Sequence, residues 1–274
     1  MSGQYRTAWL CEALLVSRSG YYAWIKRRRF PGPRQLENMR LRERIREEFM
    51  RSRQTYGSPR LAQVLGCPSR RNRIARLMRL ERIFARQRSK YRPMRTDSRH
   101  GGPIAPNRLH NVVVRRPNQV WVTDVTCVLT AQGWLYLFSR RVIGWAMSQL
   151  LDTALVSIAL RMAINQRHYS QNLIVHSDRG AQFASAAYRQ LLSRHGLTAS
   201  MSRKGNCYDN AFIESFFSSL KYELIYHHRF ANLAQARTAI FDYIEIFYNR
   251  IRLHSSLAYQ TPITFESKLN QNRP

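Results

Sequence analysis

Acidic residues are scarce in this chain. Over 274 residues, 45 lysines and arginines stand against 16 aspartates and glutamates, which gives a formal net charge of +29. The imbalance is strongest at the start, where residues 1–118 hold 29 of the cationic residues and 7 of the acidic ones. Because so much positive charge repels itself in a compact protein, the composition predicts a partner that carries negative charge. Nucleic acid is the commonest such partner, and an anionic membrane surface is the competing class.

Long hydrophobic runs are absent as well. The most apolar window, residues 142–160, is interrupted by Asp152, so the sequence predicts no helix that spans a membrane. The N-terminus has no basic start followed by an apolar stretch and a cleavage site, which predicts a cytoplasmic protein. Hydrophobic residues still make up 44% of the chain, which excludes a disordered tail and predicts a sizeable core plus a smaller unit.

Cysteine is rare and scattered, and no internal repeat is present. The cysteines lie at least 56 positions apart and form neither a CxxC pair nor a Cys/His pair at the spacing of metal ligands. This spacing argues against a zinc finger and predicts reduced, structural thiols. The four cysteines are Cys11, Cys67, Cys127 and Cys207.

The first 85 residues are patterned as helices. Two short helices are predicted over residues 4–29, interrupted at "SRSG", and a charged helix is predicted over residues 35–50. Residues 60–65 and 70–80 then form a helix-turn-helix pattern, with "GCPS" as the turn and Ser69 as the N-cap of the second helix.

Arginines cover the outer side of that second helix, while its isoleucine, leucine and methionine face inward. Such a helix suits contacts to DNA phosphates and base edges, and a simply solvated face is the alternative. The net charge of this half of the chain favours DNA. The predicted DNA-contacting residues of the helix are Arg70, Arg71, Arg73, Arg76 and Arg79.

Residues 86–118 combine prolines, glycines and basic residues without periodicity, which predicts a basic linker that separates a helical region, residues 1–85, from residues 119–274. In this last region "QVWVTDVTCVLT" alternates with period two, and "WLYLFSRRVIGWAMSQL" reads as a strand, a turn and a strand. Alternating helices and strands follow. The order predicts an α/β fold with a mixed sheet and helices on its faces.

Three acids occupy positions where a carboxylate is costly. Asp124 lies in a strand whose face is otherwise valine and threonine, and Asp178 ends the apolar strand "LIVH". Glu214 lies on a predicted helix that packs through its phenylalanines and presents the acid to a neighbouring group. A metal ion is an efficient partner for such carboxylates. Taken singly, the aspartates could instead hydrogen-bond a turn, and the glutamate could be a surface charge.

The segments "WVTDVT", "VHSDRGAQF" and "SRKGNCYDNAFIESFFSSLK" resemble the catalytic signatures of the DDE transposases of bacterial insertion sequences, in the group closest to retroviral integrases. Between Asp178 and Glu214 lie 35 residues, the spacing typical of this group. The segments "SRSGYYAWIKR", "YGSPR" and "YNRIRLHSSLAYQTPITFE" resemble the same group in the same order. The resemblance covers nearly the entire chain.

This resemblance implies a ribonuclease H-like fold, preceded by an all-α helix-turn-helix DNA-binding region. It implies that Asp124, Asp178 and Glu214 are catalytic and bind two Mg²⁺ or Mn²⁺ ions, which suits phosphoryl transfer without a protein nucleophile. The implied reaction is cleavage at the element ends and transfer of the cut strand to a target. The implied partners are double-stranded DNA, further copies of the chain and an upstream-frame DNA-binding protein, in the bacterial cytoplasm at the nucleoid.

Further residues match family positions next to the acids. His176 precedes the second acid and is typical of a packing residue at a strand end, and Asp209 is expected in the first turn of the helix that carries Glu214. The residues that the resemblance assigns to DNA near the scissile phosphate, with loop structure as the alternative, are Arg179, Gln182, Lys204, Asn206 and Asn210.

The chain departs from the family pattern after the first acid, where "WLYLFSRR" stands for a longer strand of the type "WLYLAVVIDLFSRR". About six residues are absent, which at ~3.3 Å each shortens the strand by about 20 Å. An even-numbered loss preserves the faces of later side chains, and the shortened hairpin is expected to have fewer ladder bonds. The alternatives are therefore a catalytically impaired DNA-binding remnant and a nuclease that cuts without joining.

Overall fold

A computed structural model of the chain describes residues 6–86, 101–109, 112, 117–140, 143–202 and 211–271. The chain divides into two compact units, residues 1–85 and 86–274. No helix in the described part of the chain is both long enough and apolar enough to cross a membrane.

The first unit is helical. Its core is made of side chains with no measurable exposure, including Ile45, Leu61, Ile74 and Leu77. These residues come from three different helices, so the helices pack on one another through their apolar stripes. The helices of this unit are α1 (Thr7–Ala13), α2 (Arg18–Arg29), α3 (Pro33–Arg51), α4 (Ser58–Val64) and α5 (Arg71–Leu80).

Two local predictions for the first unit are wrong. The "SRSG" stretch begins α2 instead of interrupting a helix, because the Ser17 hydroxyl caps the helix by accepting a hydrogen bond from the Gly20 amide at 3.1 Å. Ser69 is not the N-cap of α5, because residues 68–70 form a 3₁₀ turn and the helix begins after Arg70 without a side-chain cap. Proline at position 68 favours that turn, since it cannot donate a backbone hydrogen bond.

One extended segment, residues 120–130, organises the second unit. It is interrupted at Thr123, and its two parts belong to a parallel and an antiparallel sheet. The strands are β1 (Val120–Val122), β2 (Asp124–Thr130), β3 (Gly133–Arg140), β4 (Gly144–Ser148), β5 (Ile174–Ser177) and β6 (Thr198–Met201). Their order is β1-β5-β6 in the parallel sheet and β2-β3-β4 in the antiparallel sheet. The mixed sheet predicted from the sequence therefore forms around one shared segment.

The β2–β3 hairpin is complete despite the shortened sequence. Seven residue pairs join the two strands, from Asp124 opposite Ser139 to Thr130 opposite Gly133. Residues 120–122 take no part in this hairpin: they form β1, which pairs with β5 and, among the strands that the structure describes, with no other.

Helices cover both faces of this sheet. Asp152 caps the first of them, with its carboxylate accepting from the Leu155 amide at 2.9 Å. A π-helical segment, residues 243–248, continues from the last turn of the fifth. The helices are α6 (Thr153–Gln166), α7 (Ala181–Ala184), α8 (Ala186–Arg194), α9 (Ala211–Glu223), α10 (Leu233–Asp242) and α11 (Pro262–Gln271).

The alternation of the shared segment separates two apolar clusters. Trp121 and Val125 pack in the cluster that contains α6 and α8. Val122 and Val128 pack in the cluster formed with α9, α10 and the π-helical segment. The period-two pattern read from the sequence is confirmed, and it assigns Asp124, which has the same parity as Val122 and Val128, to the face that α9 covers.

A buried ion pair fixes the C-terminal half of α9. The Arg252 guanidinium lies 2.7 and 2.8 Å from the two carboxylate oxygens of Glu223, a two-point contact that is stronger than a single one. Arg252 also donates to the Ser219 hydroxyl at 3.2 Å, and the Tyr243 hydroxyl donates to Glu223 at 2.8 Å. Because Ser219 and Glu223 both lie on α9, this network holds the helix to the residues that follow it.

The contact between β4 and α6 requires glycine at position 144. A Cβ atom at Gly144 would overlap the Ala159 carbonyl oxygen and lie 2.7 Å from the Ala163 Cβ. We therefore expect Gly144→Ala to lower the free energy of unfolding by about 1–3 kcal/mol, measured by urea denaturation. Gly101→Ala is the control, since nothing lies within 4 Å of a Cβ there. Equal stability of the two variants would contradict this packing.

Candidate active site

The ends of two parallel strands bring the first two acids together. Val120, Trp121 and Val122 pair with Ile174, Val175 and His176, and the Thr123 amide donates to the His176 carbonyl at 2.7 Å. The ladder ends at the pair of Val122 with His176, and Asp124 and Asp178 each follow it by two residues. Neighbouring strands lie about 4.8 Å apart, so the two carboxylates share one end of the β1–β5 pair.

The third acid reaches the same face through the packing of α9. Ile213, Phe216, Phe217 and Leu220 are buried in the cluster that also contains Val128 of β2. Glu214 lies in the first turn of the helix and is exposed. The helix therefore buries its apolar side against the strand, as the sequence predicts, and its acid is exposed.

The charges of the three acids act on one another. The pKa of Asp124 is raised from 3.8 to about 8, chiefly by burial and then by the Asp178 carboxylate, with a smaller contribution from Glu214. The Val125 amide, which donates to Asp124 Oδ1 at 2.7 Å, and the positive charge of Lys221 act in the opposite direction.

Three hydrogen bonds hold the loop that follows β5. Asp178 Oδ1 accepts a hydrogen bond from the Gly180 amide at 2.9 Å, which makes a tight turn around the second acid. The Ser177 hydroxyl donates to the Asp178 carbonyl at 2.9 Å, and Arg179 Nε donates to the Ser202 carbonyl at 2.8 Å. The second acid is therefore held by its own turn and by the end of β6.

His176 is a buried hydrogen-bonding residue, as its strand-end position predicts. Its Nδ1 lies 2.9 Å from the hydroxyl of Ser200, which is also buried. The same hydroxyl accepts from the backbone amide of Arg108 at 2.9 Å. Ser200 therefore joins β5, β6 and the segment that precedes β1. The sequence reading missed Ser200, because its role depends on which strands are neighbours.

The arginines of α5 fall into two groups. Arg70 and Arg73 pair with Glu37 of α3 at 2.6 and 2.9 Å, and these bonds, that of Arg73 first, hold the pKa of Glu37 below its ordinary value. Arg70 is exposed as the sequence predicts, with 54% of its side chain accessible, whereas Arg73 is only 17% accessible, so its predicted outward orientation is wrong. The exposed arginines within α5 itself are Arg71, Arg76 and Arg79.

The remaining predicted residues are described only in part. Gln182 lies in α7 next to the Asp178 turn. The cysteines that the structure describes, Cys11, Cys67 and Cys127, are free thiols. The predicted residues that lie outside the described part of the chain are Lys204, Asn206, Cys207, Asp209 and Asn210.

The three acids fit a divalent cation by their chemistry. Carboxylate oxygens are the hard ligands that Mg²⁺ and Mn²⁺ prefer, and a cation would relieve the repulsion that raises the pKa of Asp124. No three His, Cys, Asp or Glu side chains within the described ranges are gathered closely enough to form a ready cluster. The charges of the acids therefore act on one another, but the three carboxylates do not form a ready metal-binding cluster.

Comparison with known proteins agrees with this arrangement. Two family models described as integrase core domains match residues 114–207 and 195–262, and a model of an HTH-like domain matches residues 36–91. The chain is 42% identical to the insertion element IS600 31 kDa protein of Shigella sonnei, over 96% of this chain and 99% of that protein. It is 41% identical to the transposase InsF for insertion sequence IS3A of Escherichia coli K12, over 94% of this chain and 93% of that protein.

The chain belongs to the insertion-sequence transposases of the retroviral-integrase-like group. The transposase therefore has the predicted ribonuclease H-like fold with a helix-turn-helix region before it, and its family is that of the DDE polynucleotidyl transferases. It binds DNA as a member of that family. Among solved structures, the catalytic core of BIV integrase is similar at 17% identity and a TM-score of 0.39, over 57% of this chain and 99% of that one.

The raised pKa of Asp124 makes the stability of the transposase depend on pH. The carboxyl titrates at about 8 in the folded protein and near 3.9 in the unfolded chain, so folding favours the protonated form. The contribution of this group to stability is therefore lost as the pH rises from about 4 to about 8. We expect Asp124→Asn to be more stable than the parent at pH 8, by at least ~1 kcal/mol, and the difference to shrink toward pH 4.

Urea unfolding in the presence of EDTA at pH 5 and pH 8 measures this difference. Asp152→Asn is the matched control, because asparagine caps a helix as well as aspartate does and the substitution removes the same charge. An Asp124→Asn variant that is no more stable than the parent at pH 8 would contradict the raised pKa of Asp124.

Proposed function

We propose that Asp124, Asp178 and Glu214 are the catalytic acids of a reaction that cuts DNA at the ends of an insertion element and joins the cut strand to a target. The observation that carries this proposal is the action of two carboxylate charges, on Asp178 and Glu214, on a third at the end of a strand. Structural ion pairs normally combine opposite charges, and a group of like charges is the arrangement expected of a cation site.

The same three acids would hold two Mg²⁺ or Mn²⁺ ions. When bound there, the ions would activate the attacking oxygen and stabilise the leaving oxygen of an in-line phosphoryl transfer. The protein would contribute position: the β1–β5 pair would bring the first two acids to one end of the sheet, and the packing of α9 would bring the third. Water would then cleave a phosphodiester at the element end, and the freed 3′-hydroxyl would attack a phosphodiester of the target.

The N-terminal unit would hold the DNA. Its exposed arginines Arg71, Arg76 and Arg79 lie on one helix, α5, and suit the phosphates of a duplex. Arg70 and Arg73 would act indirectly, because their pairing with Glu37 attaches that helix to α3. The positive charge of residues 1–118 supports the same assignment.

The reaction needs two element ends and a target, so the protein would act as at least a dimer on double-stranded DNA. An upstream-frame DNA-binding protein, fused or associated, would complete the assembly. The reaction would take place in the bacterial cytoplasm, at the nucleoid.

A DNA-binding protein without catalysis is the second candidate. The observation that favours it is the edge of β1, which has a described strand neighbour on the β5 side alone. Val122 and Asp124 are close in sequence, so a loosely held β1 would also loosen the first acid. In this case reinsertion of the missing strand residues would restore activity.

The first test compares the parent chain with Glu214→Gln on duplexes that bear the element ends, with Mg²⁺ or Mn²⁺. We expect the parent to cut and join, and Glu214→Gln to be at least ~100-fold slower, because removing a metal ligand costs several kcal/mol of transition-state stabilisation. Mg²⁺ should also raise the thermal midpoint of the parent more than that of Glu214→Gln. Glu47→Gln, an exposed acid of the first unit, is the control.

The other outcomes of this test are distinct. Cut products that are never joined would indicate a nuclease. Binding with neither cutting nor joining, reversed by reinsertion of strand residues between Leu137 and Phe138, would support the second candidate. Equal activity of the parent and Glu214→Gln would exclude this acid from the site.

The division of the α5 arginines gives a second test. Arg76→Gln should weaken DNA binding and lower the slope of log affinity against log salt by about 1, as expected for the loss of one phosphate contact. Arg73→Gln should leave that slope unchanged and lower the stability of the first unit, since it breaks a pair with Glu37. Binding isotherms at several salt concentrations, together with thermal unfolding, distinguish the two. The reverse pattern would overturn the assignment.

A further inference from the structure

Arg179 stands directly after the second acid, at the place where the parallel β5–β6 pair ends. The last residue pair of this ladder is Ser177 with Met201, and the Ser202 amide still donates to the Ser177 carbonyl at 3.0 Å. The backbone of β5 turns back on itself through the bond between Asp178 Oδ1 and the Gly180 amide.

After the last backbone hydrogen bond between β5 and β6, the Arg179 side chain makes a further bond to the end of β6. Its Nε donates to the Ser202 carbonyl at 2.8 Å, and this oxygen belongs to a residue that is 7% exposed. Ser202 is therefore bonded through both its amide and its carbonyl to residues at the end of β5. A hydrogen bond from a charged donor is about twice as strong as a neutral one, so this contact is well suited to hold the end of β6.

Ser202 also lies between the second and third acids in the chain. Glu214 follows it by 12 positions, in the first turn of α9. We propose that Arg179 is a positioning residue: its bond to the Ser202 carbonyl ties the turn that holds Asp178 to the end of β6 and so keeps the second acid in place relative to the third. This inference rests on the proposed function of the three acids, and it assigns Arg179 a role different from a DNA contact.

The test uses Arg179→Gln in the full-length chain, with Arg179→Lys as the conservative variant. The glutamine removes the charge and the Nε donor, whereas lysine keeps a charge and a donor. Arg189→Gln is the matched control, because Arg189 is an exposed arginine whose Nε also donates to a backbone carbonyl, that of Ala184 at 3.3 Å. The measurements are strand cleavage, the salt dependence of DNA affinity, thermal unfolding and amide hydrogen exchange.

For Arg179→Gln we expect cleavage at least ~10-fold slower, because a small displacement of a catalytic group has a large effect on rate. Its DNA affinity and salt slope should match those of the parent. Amide exchange over residues 211–216 should be faster, and exchange at the Glu223 end of α9 should be unchanged. Arg179→Lys should recover part of the cleavage rate.

Three results would overturn the proposal. A salt slope lowered by about 1 with unchanged exchange would make Arg179 a phosphate contact. Faster exchange throughout the second unit together with a lower thermal midpoint would make it a general structural residue. Behaviour equal to that of Arg189→Gln would leave it no role. A parent chain that neither cuts nor joins DNA would overturn the proposed function. The role of Arg179 could still be decided in that case, because hydrogen exchange can be measured without catalysis.

Discussion

The change of partner along residues 120–130 is the constraint on which the second unit depends. On one side of Thr123 the chain is paired in parallel with β5, and on the other side it is paired antiparallel with β3. Asp124 is the first residue after the change. Asp124 and Asp178 each follow the end of the parallel ladder by two residues, so backbone pairing brings both acids to the same end of the β1–β5 pair.

The third acid depends on a different kind of support. Glu214 is exposed, and its location follows from what the rest of α9 buries: an apolar side against the sheet and the Glu223–Arg252 pair near its end. Because α9 is rigid and is held both at its far end and along its apolar side, its first turn is held in place as well. The cost of gathering three negative charges is therefore offset by apolar packing and by an ion pair away from the acids.

The features that could be predicted from the sequence are those set by local pattern. The alternation around Asp124, the cap at Asp152 and the amphipathic character of α9 each follow from residues close together in the chain. The pairing of Arg70 and Arg73 with Glu37 could not be predicted, because it requires α3 and α5 to be neighbours. The cap assigned to Ser69 failed since Pro68 favoured a 3₁₀ turn, and the role of Ser200 was missed because three separate segments meet there.

The bond between Ser200 and the segment before the catalytic strands has an evolutionary consequence. The hydroxyl accepts from the backbone amide of residue 108, and every residue except proline offers that amide. The attachment therefore constrains the identity of the serine and the number of residues between the attachment and the first strand, while it leaves the side chain at position 108 open to substitution. Element copies can diverge at this position, for example in response to different DNA ends, without losing the attachment.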